Sequence, residues 1–475
     1  MPDTPTNEAD PIYYLEATAL ARLIRTKQLS SREVVQAHLD RVEAVNPKIN
    51  AIVTLMADGA LKAADAADKA VANGAELGPL HGVPFTIKDA TDTAGVLSQR
   101  GSLLFAGYIP DRDATTVARF KAAGGIPLAK TNIPEFAAWT ESDNRLTGRT
   151  NNPWNLDRTS GGSSGGESAV IAAGLSPIGI GSDVAISVRG PAAFTGIAAL
   201  KATHGRIPYT GHFPTAMSRY WHVGPMARTI RDVALGYSIL KGADGVDPYA
   251  VHAKDAQPAD PRIDGQTIRV GWVSEAAFGP VDPEITAAVA AAAARLKDLG
   301  CDVEGVRLPF MEQTDWLTPF FTLWYEIVPY LQKFATGREA DMHAVGAGLM
   351  ATPPPSIVDY INAEAKVEQL KTAFAGYFQK YEVLLCPVNP FTAPPHGLQE
   401  LVVDRVTVPA YHVLRATAPF NMTGLPALSV PFAFSSEQLP IGIQLVSRWL
   451  DEATILRLGA LLERSGGLGS RHPDI

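Results

Sequence analysis

Two adjacent serines stand between two pairs of glycines in the run TSGGSSGG at residues 159–166. So many glycines stabilise neither a helix nor a strand, but they permit backbone conformations and close approaches that other residues exclude. A flexible linker has a similar composition. However, Pro153 and Trp154 precede the run and the apolar segment 169–173 follows it directly. A linker between core elements is the weaker interpretation, so we interpret the run as a functional segment.

Glycine-rich runs also bind phosphate groups, but the details do not fit here. A P-loop has Lys followed by Ser or Thr after its last glycine, whereas Glu167 and Ser168 follow this run. The GxGxxG pattern of dinucleotide-binding folds is missing from the run as well. A nucleotide site is therefore only a minor alternative.

The residues around the two serines resemble the signature of the amidase-signature family. GGSSGGE at 161–167 is followed by GSD at 181–183 and SVRGP at 187–191, in the order found in that family. Upstream, GPLHGVPFTIKD at 78–89 is similar to the lysine motif of the family. The run DVAIS at 183–187 is unusual, and it suggests the urethanase or aryl acylamidase-like subgroup.

The spacing and the extent of the resemblance support it. Lys88 precedes Ser163 by 75 residues and Ser187 follows Ser163 by 24 residues, as is usual in the family. The resemblance covers nearly the whole chain from about residue 12. Four further motifs occur in family order: RDAT at 112–115, GPMART at 224–229, GLPA at 424–427 and PIGIQ at 440–444.

The resemblance implies a serine hydrolase in which Ser187 is the nucleophile, Lys88 is the base and Ser163 passes a proton between them. A serine hydroxyl needs such a base, and a Ser-Lys pairing is one variant of the catalytic triad. Lysine acts as a base only when neutral, so Lys88 is expected in a desolvated pocket that lowers its pKa from about 10.4. In the family the peptide bond before Ser163 is cis, and Gly162 precedes it here.

The oxyanion hole implied by the resemblance consists of the backbone N–H groups of Val184, Ala185, Ile186 and Ser187. Most members of the family have Gly-Gly directly before the nucleophile, whereas this chain has Ala185-Ile186. Backbone donors survive the change, because only proline lacks an N–H. Ile186 is β-branched and disfavours positive φ, so we expect an ordinary backbone conformation or strain at this turn. The added side chains should also reshape the pocket.

Four neighbouring residues are expected to support this region of the chain: Gly162, Ser164, Asp183 and Arg189. Asp183 and Arg189 flank the turn that carries Ser187. A buried ion pair that holds the turn is favoured over direct contact with substrate. Removal of one partner would leave the other charge uncompensated.

The substrate pocket is predicted from aromatic side chains, namely Trp139, Tyr209, Phe213, Phe320 and Trp324. We identify no Arg or Lys outside the motifs that would bind a carboxylate. The expected substrate is therefore an apolar or aryl amide, anilide or carbamate (a urethane), cleaved at its C–N bond through an acyl-enzyme. No cofactor and no metal are expected.

Two other classes of function stay open. Chains of this family also serve as the glutaminase subunit of a tRNA amidotransferase, which delivers ammonia to a partner. A binding protein that retains the fold without catalysis is disfavoured, because Lys88, Ser163 and Ser187 are all present; only Ala185-Ile186 supports it.

The elements that position these residues are predicted from short apolar runs that alternate with helical segments, typical of an α/β fold with a buried sheet. The predicted strands are Val83–Ile87, Ile126–Ala129, Ala198–Leu200, Ile268–Val273, Val383–Cys386, Ala427–Pro431 and Ile441–Val446. Predicted helices include 57–74, 115–124, 282–298, 451–464 and a helix that begins with a capping box of Ser30 and Glu33.

The resemblance implies one amidase-signature domain over 1–475, with a central mixed, twisted sheet covered by helices on both faces. We expect N-terminal helices at about 12–75, a catalytic core at about 78–305 and the C-terminal part of the sheet at about 380–465. The aromatic-rich segment at about 310–375 is predicted to be a helical insert over the site, with ordinary core helices as an equally open alternative.

Composition limits the other possibilities. The chain has 475 residues, 46% of them hydrophobic and 19% charged, which is typical of a globular protein. Its net charge of −8 gives no electrostatic reason to expect nucleic acid or an anionic membrane as a partner. The two cysteines, Cys301 and Cys386, lack metal-site spacing, and residues 1–11 lack a signal-peptide pattern. A cytoplasmic protein with a small-molecule substrate is expected, with a homodimer as one option.

Overall fold

The architecture is that of a large mixed β-sheet with helices on both faces, as seen in a computed structural model that describes residues 10–254, 267–465 and 471–475. Residues 1–9, for which the sequence predicts no signal peptide, lie outside the described residues. The fold class predicted from the sequence is confirmed.

The strands form one sheet of eleven strands in the order β1-β3-β2-β6-β8-β7-β14-β15-β11-β9-β10, and two small hairpins, β4-β5 and β12-β13. Their bounds are β1 Ile52–Leu55, β2 Pro84–Lys88, β3 Ile126–Thr131, β4 Asn151–Asn152, β5 Asn155–Thr159, β6 Ile178–Asp183, β7 Ala198–Lys201, β8 His222–Ala227, β9 Arg269–Trp272, β10 Asp302–Gly305, β11 Val383–Pro387, β12 Glu400–Val403, β13 Val406–Pro409, β14 Ala427–Phe434 and β15 Pro440–Ser447. In the large sheet, β2 pairs in parallel with β3 and β6, and β9 pairs in parallel with β10 and β11; the other pairings are antiparallel.

The helices are α1 Ala17–Arg25, α2 Ser31–Ile49, α3 Ala57–Ala72, α4 Thr115–Ala122, α5 Gly165–Ala172, α6 Arg189–Thr195, α7 Ile230–Leu240, α8 Glu275–Phe278, α9 Pro283–Asp298, α10 Pro309–Glu312, α11 Leu317–Trp324, α12 Ile327–Ala335, α13 Ala344–Met350, α14 Ile357–Lys380 and finally α15 Ala418–Met422 and α16 Glu452–Ser465. The capping box predicted for α2 is confirmed: the backbone N–H of Glu33 donates to Ser30 Oγ (3.1 Å), and that of Ser30 donates to Glu33 Oε2 (2.8 Å). None of the helices in the described ranges is both long enough and apolar enough to cross a bilayer.

Successive side chains of a strand point to opposite faces of the sheet, and β6 shows which helices lie on each face. Ile178 lies against Gly236 of α7, whereas the next residue, Gly179, lies against Glu167 of α5. α5 and α6 pack together on the second face, while α7, α16 and α9 form the layer on the first. Both faces of the sheet are therefore buried.

The predicted strands and helices are confirmed. The strands β6 and β8 are not among those that the sequence pattern predicts. Both are buried along their whole length, yet they read IGIGSD and HVGPMA. Glycine, proline and aspartate are depleted in strands, so local propensity underestimates strands of this composition. β6 is the strand that leads to Ser187.

Candidate active site

Lys88 is the last residue of β2, and its side chain is completely buried. Its Nζ donates a hydrogen bond to Ser163 Oγ at 2.7 Å and a second to the carbonyl oxygen of Ser182 at 3.1 Å. The strand β2 thus places the amino group of Lys88 in the buried interior, in contact with Ser163 of the glycine-rich run.

The surroundings of Lys88 favour its neutral form. Burial lowers the pKa of Lys88 to about 7, although the carboxylates of Asp183 and Glu167 act in the opposite direction. A charged ammonium is disfavoured where water cannot solvate it. A substantial fraction of Lys88 is therefore neutral near neutral pH, and it can accept a proton.

Ser163 lies in a tightly packed loop before α5. The Gly162–Ser163 peptide bond is cis. A Cβ on Gly162 would lie 2.7 Å from the backbone nitrogen of Glu141, so only glycine allows the two backbones to approach this closely. The glycines of the run are thus needed for packing, and they hold Ser163 against Lys88.

Ser187 lies in the turn between β6 and α6. Its side chain is largely buried, and it lines a cavity. The backbone N–H of Ser164 donates to the carbonyl oxygen of Ser187 at 3.1 Å, which joins the glycine-rich loop to the Ser187 turn. The fold therefore brings Lys88, Ser163 and Ser187 together from three separate segments.

The Ser187 turn offers a set of backbone donors. In the described part of the chain, no hydrogen bond is donated by the backbone N–H of Val184, Ala185, Ile186 or Ser187. Neither Ala185 nor Ile186 has a positive φ, so the Ala-Ile pair adopts an ordinary backbone conformation. These donors are available to an oxyanion.

A buried ion pair holds the turn. Arg189 Nη2 lies 3.0 Å from Asp183 Oδ1, and Arg189 Nε lies 3.0 Å from Asp183 Oδ2; both side chains are inaccessible to water. Burial alone would raise the pKa of Asp183, but the charge and hydrogen bonds of Arg189 lower it to about 2. Asn421 Nδ2 donates to Asp183 Oδ1 at 2.9 Å, and Gln444 Oε1 accepts from Arg189 Nη1 at 2.9 Å.

Sequence reasoning assigned no role to Asn421 or Glu167. The carboxylate of Glu167 accepts hydrogen bonds from the hydroxyls of Thr86, on the same strand as Lys88, and of Thr131, on the neighbouring strand β3. Burial raises the pKa of Glu167 to about 7, against the effect of those two hydrogen bonds. For Glu167, the sequence signal was its place at the end of the glycine-rich motif. Asn421 lies in α15, far from that motif in the chain, and no sequence signal pointed to it.

The cavity that contains Ser187, hereafter the Ser187 cavity, has a volume of about 620 Å³. α11 and α13 contribute seven of its twenty lining residues, so helices of the segment 310–375 form part of the cavity wall. The lining residues are Ala137, Ala138, Trp139, Thr140, Val184, Ala185, Ile186, Ser187, Phe320, Phe321, Trp324, Tyr325, Ala344, Val345, Gly348, Leu349, Thr352, Gln399, Tyr411 and Leu414.

Three of the five aromatic residues predicted for the pocket line it: Trp139, Phe320 and Trp324. Tyr209 and Phe213, which were predicted with them, are not among the residues that line this cavity. Tyr209 is buried and donates its hydroxyl hydrogen to the carbonyl oxygen of Pro214 at 3.0 Å.

Phe213 packs instead beneath α12, in a buried cluster with Phe136, Ile327 and Leu331. An aromatic side chain gains as much from such burial as from lining a cavity, so composition does not distinguish the two positions. Among the described residues, no three His, Cys, Asp or Glu side chains converge into a metal-binding group.

Comparison with known proteins identifies the family. The family model described as Amidase matches residues 33–456. A glutamyl-tRNA(Gln) amidotransferase subunit of Moorella thermoacetica is 34% identical, over 98% of this chain and 99% of that protein. An indoleacetamide hydrolase of Bradyrhizobium diazoefficiens is 35% identical, over 97% of this chain and 88% of that protein.

Among solved structures, a bacterial aryl acylamidase of the amidase signature family superposes with a TM-score of 0.86 at 26% identity, over 96% of this chain and 97% of that one. All of these matches extend over nearly the full chain. The chain therefore belongs to the amidase family, the enzymes that carry the amidase signature.

Proposed function

We propose that this protein hydrolyses the C–N bond of neutral, apolar or aryl amides, anilides or carbamates through an acyl-enzyme on Ser187. The observation that carries the proposal is the contact of 2.7 Å between the buried Lys88 Nζ and Ser163 Oγ, next to the turn that bears Ser187. This contact supports the assignment of Lys88 as the neutral base and Ser163 as the proton carrier, with Ser187 as the nucleophile in the neighbouring turn.

The first half of the reaction uses all three side chains. Ser187 Oγ forms a bond to the substrate carbonyl carbon, while its proton moves to Ser163 Oγ and the Ser163 proton moves to Lys88 Nζ. The carbonyl oxygen becomes an oxyanion beside the backbone N–H groups of the Val184–Ser187 turn. The C–N bond then breaks, and the proton held on Lys88 returns through Ser163 to the leaving nitrogen.

The second half regenerates Ser187. A water molecule gives a proton to Lys88 through Ser163 as its oxygen attacks the acyl carbon. The Ser187–acyl bond breaks, Ser187 Oγ regains a proton, and the carboxylic acid leaves. With a carbamate cleaved at its C–N bond, the corresponding product is a carbonate half-ester, which then loses CO₂ to give the alcohol.

The lining of the Ser187 cavity supports the choice of substrate. Its volume of about 620 Å³ lies within the usual range for small-molecule sites. Within the described residues, none of its lining side chains is charged. A charged substrate group would lose its hydration there without a partner, so neutral substrates are favoured.

The proposal is tested with the purified chain and three substrates: a 4-nitroanilide, an aryl carbamate and a free primary amide of a charged amino acid. Turnover of the anilide or carbamate, lost in Ser187→Ala, is expected. Turnover of the charged primary amide alone would contradict an apolar pocket. No turnover of any of the three would favour a binding protein.

A second candidate, the glutaminase subunit of an amidotransferase, has one specific observation in its favour: the 34% identity to the glutamyl-tRNA(Gln) amidotransferase subunit of Moorella thermoacetica. The uncharged Ser187 cavity argues against glutamine, which carries an ammonium and a carboxylate. Hydrolysis of glutamine but of neither the anilide nor the carbamate would favour this candidate.

A further inference from the structure

A second cavity lies directly beside the Ser187 cavity. This outer cavity has a volume of about 710 Å³ and is formed by α11, residues 352–355, strand β13 and the turn that follows it. Phe321, Tyr325, Thr352 and Tyr411 line both cavities. The two spaces therefore meet at these four side chains, and Ser187 lies on the inner side of the boundary.

A row of aromatic rings connects the two cavities. The ring centroids of Trp324 and Phe320 are 5.9 Å apart, those of Phe320 and Phe321 are 5.4 Å apart, and those of Phe321 and Tyr411 are 5.3 Å apart. Phe321 and Tyr411 keep about 40% of their surface exposed. Large rings that are this accessible at the boundary provide an apolar surface that a ligand can cover.

The charged groups of the outer cavity are paired with each other. Arg415 Nη2 lies 3.1 Å from Asp315 Oδ1. Burial lowers the pKa of His412, whose Nε2 lies 2.8 Å from the carbonyl oxygen of Pro280. The histidine is therefore neutral at pH 7, and none of the described residues that line the outer cavity carries an uncompensated charge for an ionic ligand.

The threonine hydroxyls of the outer cavity already donate to protein groups. Thr318 Oγ1 donates to Asp315 Oδ2 at 3.0 Å, and Thr322 Oγ1 donates to the carbonyl oxygen of Thr318 at 2.9 Å. Thr352 Oγ1 donates to the carbonyl oxygen of Gly348 at 3.2 Å. These residues present methyl groups and acceptor oxygens to a ligand, which again favours a neutral, mainly apolar group.

We propose that the outer cavity binds the distal end of an elongated substrate, a neutral aryl or alkyl group joined by a linker to the amide or carbamate cleaved at Ser187. This inference rests on the proposed function and deepens it. It predicts that the enzyme prefers long substrates with two apolar ends over compact ones that fill only the Ser187 cavity.

The test uses two substrate pairs, each with a short and an extended member. One pair is extended by a phenylalkyl chain on the acyl side of a 4-nitroanilide, and the other on the amine side of an aryl amide. In the pair whose extension enters the outer cavity, kcat/KM of the wild type is expected to be about ten-fold or more higher for the extended member. Burial of even one methylene group changes kcat/KM by about this factor.

Val406 and Val402 offer a matched pair of variants. Both are exposed valines of the same hairpin, on β13 and β12, but only Val406 lines the outer cavity. Val406→Trp fills part of that cavity, and we expect the extended-to-short ratio of kcat/KM to fall about five-fold or more, mainly through KM. Val402→Trp is expected to leave the ratio within about two-fold of wild type, as for a surface substitution.

The outcomes separate the two proposals. Hydrolysis of the short amides without any gain on extension, or an equal change of the ratio in both tryptophan variants, would overturn the outer-cavity inference and leave the proposed function intact. If none of the four substrates is hydrolysed and none binds to Ser187→Ala in calorimetry, the proposed function fails, and this inference fails with it.

Discussion

The side chain of Ile186 lies against the α-carbon of Gly190, where an added Cβ would be 2.4 Å from Ile186 Cγ1. The backbone N–H of Gly190 also donates to the carbonyl oxygen of Ile186 at 2.8 Å. The bulky residue before Ser187 and the glycine in the first turn of α6 therefore form a matched pair, and the shape of the Ser187 turn depends on both.

We expect Gly190→Ala to displace this turn and to lower kcat/KM by about 100-fold, because a misplacement near 1 Å has effects of this size. Steady-state kinetics on the preferred substrate measures the loss. Gly376→Ala, at a helical glycine with open space around it, serves as the control and is expected to keep full activity.

The double variant Ile186→Ala/Gly190→Ala relieves the contact and should recover part of the lost activity. Simple additivity of the two single changes would show that Ile186 and Gly190 are not coupled.

Lys88 and Ser187 should each be essential for turnover. Ser187→Ala removes the proposed nucleophile and Lys88→Met removes the proposed base, so each is expected to lower kcat by about 10⁴-fold or more, with no additive loss in the double variant. Burst kinetics with a chromogenic substrate reports the acyl-enzyme. Ser176→Ala, which changes another buried serine, is the control. A Lys88→Met enzyme that kept most of its rate at pH 7 would rule out the base assignment.

The pH profile should follow the ionisation of Lys88. Since burial lowers the pKa of Lys88 to about 7 and only the neutral amine accepts a proton, kcat/KM is expected to rise with pH through about 7. The Glu167 carboxylate raises the pKa of Lys88, so Glu167→Gln should move this rise to lower pH. A profile of kcat/KM from pH 5 to 10 for both enzymes measures the shift, and a shift to higher pH would contradict the assignment.

The Asp183–Arg189 pair should stabilise the fold at neutral pH. Arg189→Met leaves a buried carboxylate without its partner and is expected to lower the free energy of unfolding by about 3–5 kcal/mol. The exposed pair Arg32–Asp65 provides the control, because Arg32→Met should cost less than about 1 kcal/mol. Urea titrations measure both values.

The effect of Arg189→Met should also depend on pH. In the wild type the pKa of Asp183 is lowered to about 2 by Arg189, so the stability that this carboxylate contributes is present above its unfolded pKa of about 3.9 and is lost as pH falls toward 2. In the variant, protonation of Asp183 removes the uncompensated negative charge from the core. The stability difference between the two proteins is therefore expected to narrow as pH falls, and a constant difference would exclude this account.

The resemblance to the motifs of the family was sufficient to name Lys88, Ser163 and Ser187 as candidate residues, and the alternation of apolar runs with helical segments predicted the buried-sheet architecture. A lysine after an apolar strand, a serine among glycines and a serine before a helix leave local patterns that a single sequence displays. The helices α2, α3 and α9 were also predictable, because the capping box of α2, the alanine content of α3 and the helical pattern of α9 are local features of the sequence. The strands β6 and β8 were not, because their glycines and proline conceal the burial that their neighbours impose.

Tertiary structure alone decided which side chains surround Ser187. Tyr209 and Phe213 are aromatic but pack into the core, whereas Tyr411, Val345 and Leu349 reach the Ser187 cavity from distant segments. The packing of α5 against the sheet also decides the partners of β2. Thr86 and Lys88 lie on the same face of this strand, where they contact Glu167 and Ser163. Contacts across hundreds of residues depend on this packing. The sequence by itself therefore determined the candidate reactive residues, through the motifs of the family, and the fold decided their partners and the shape of the cavity.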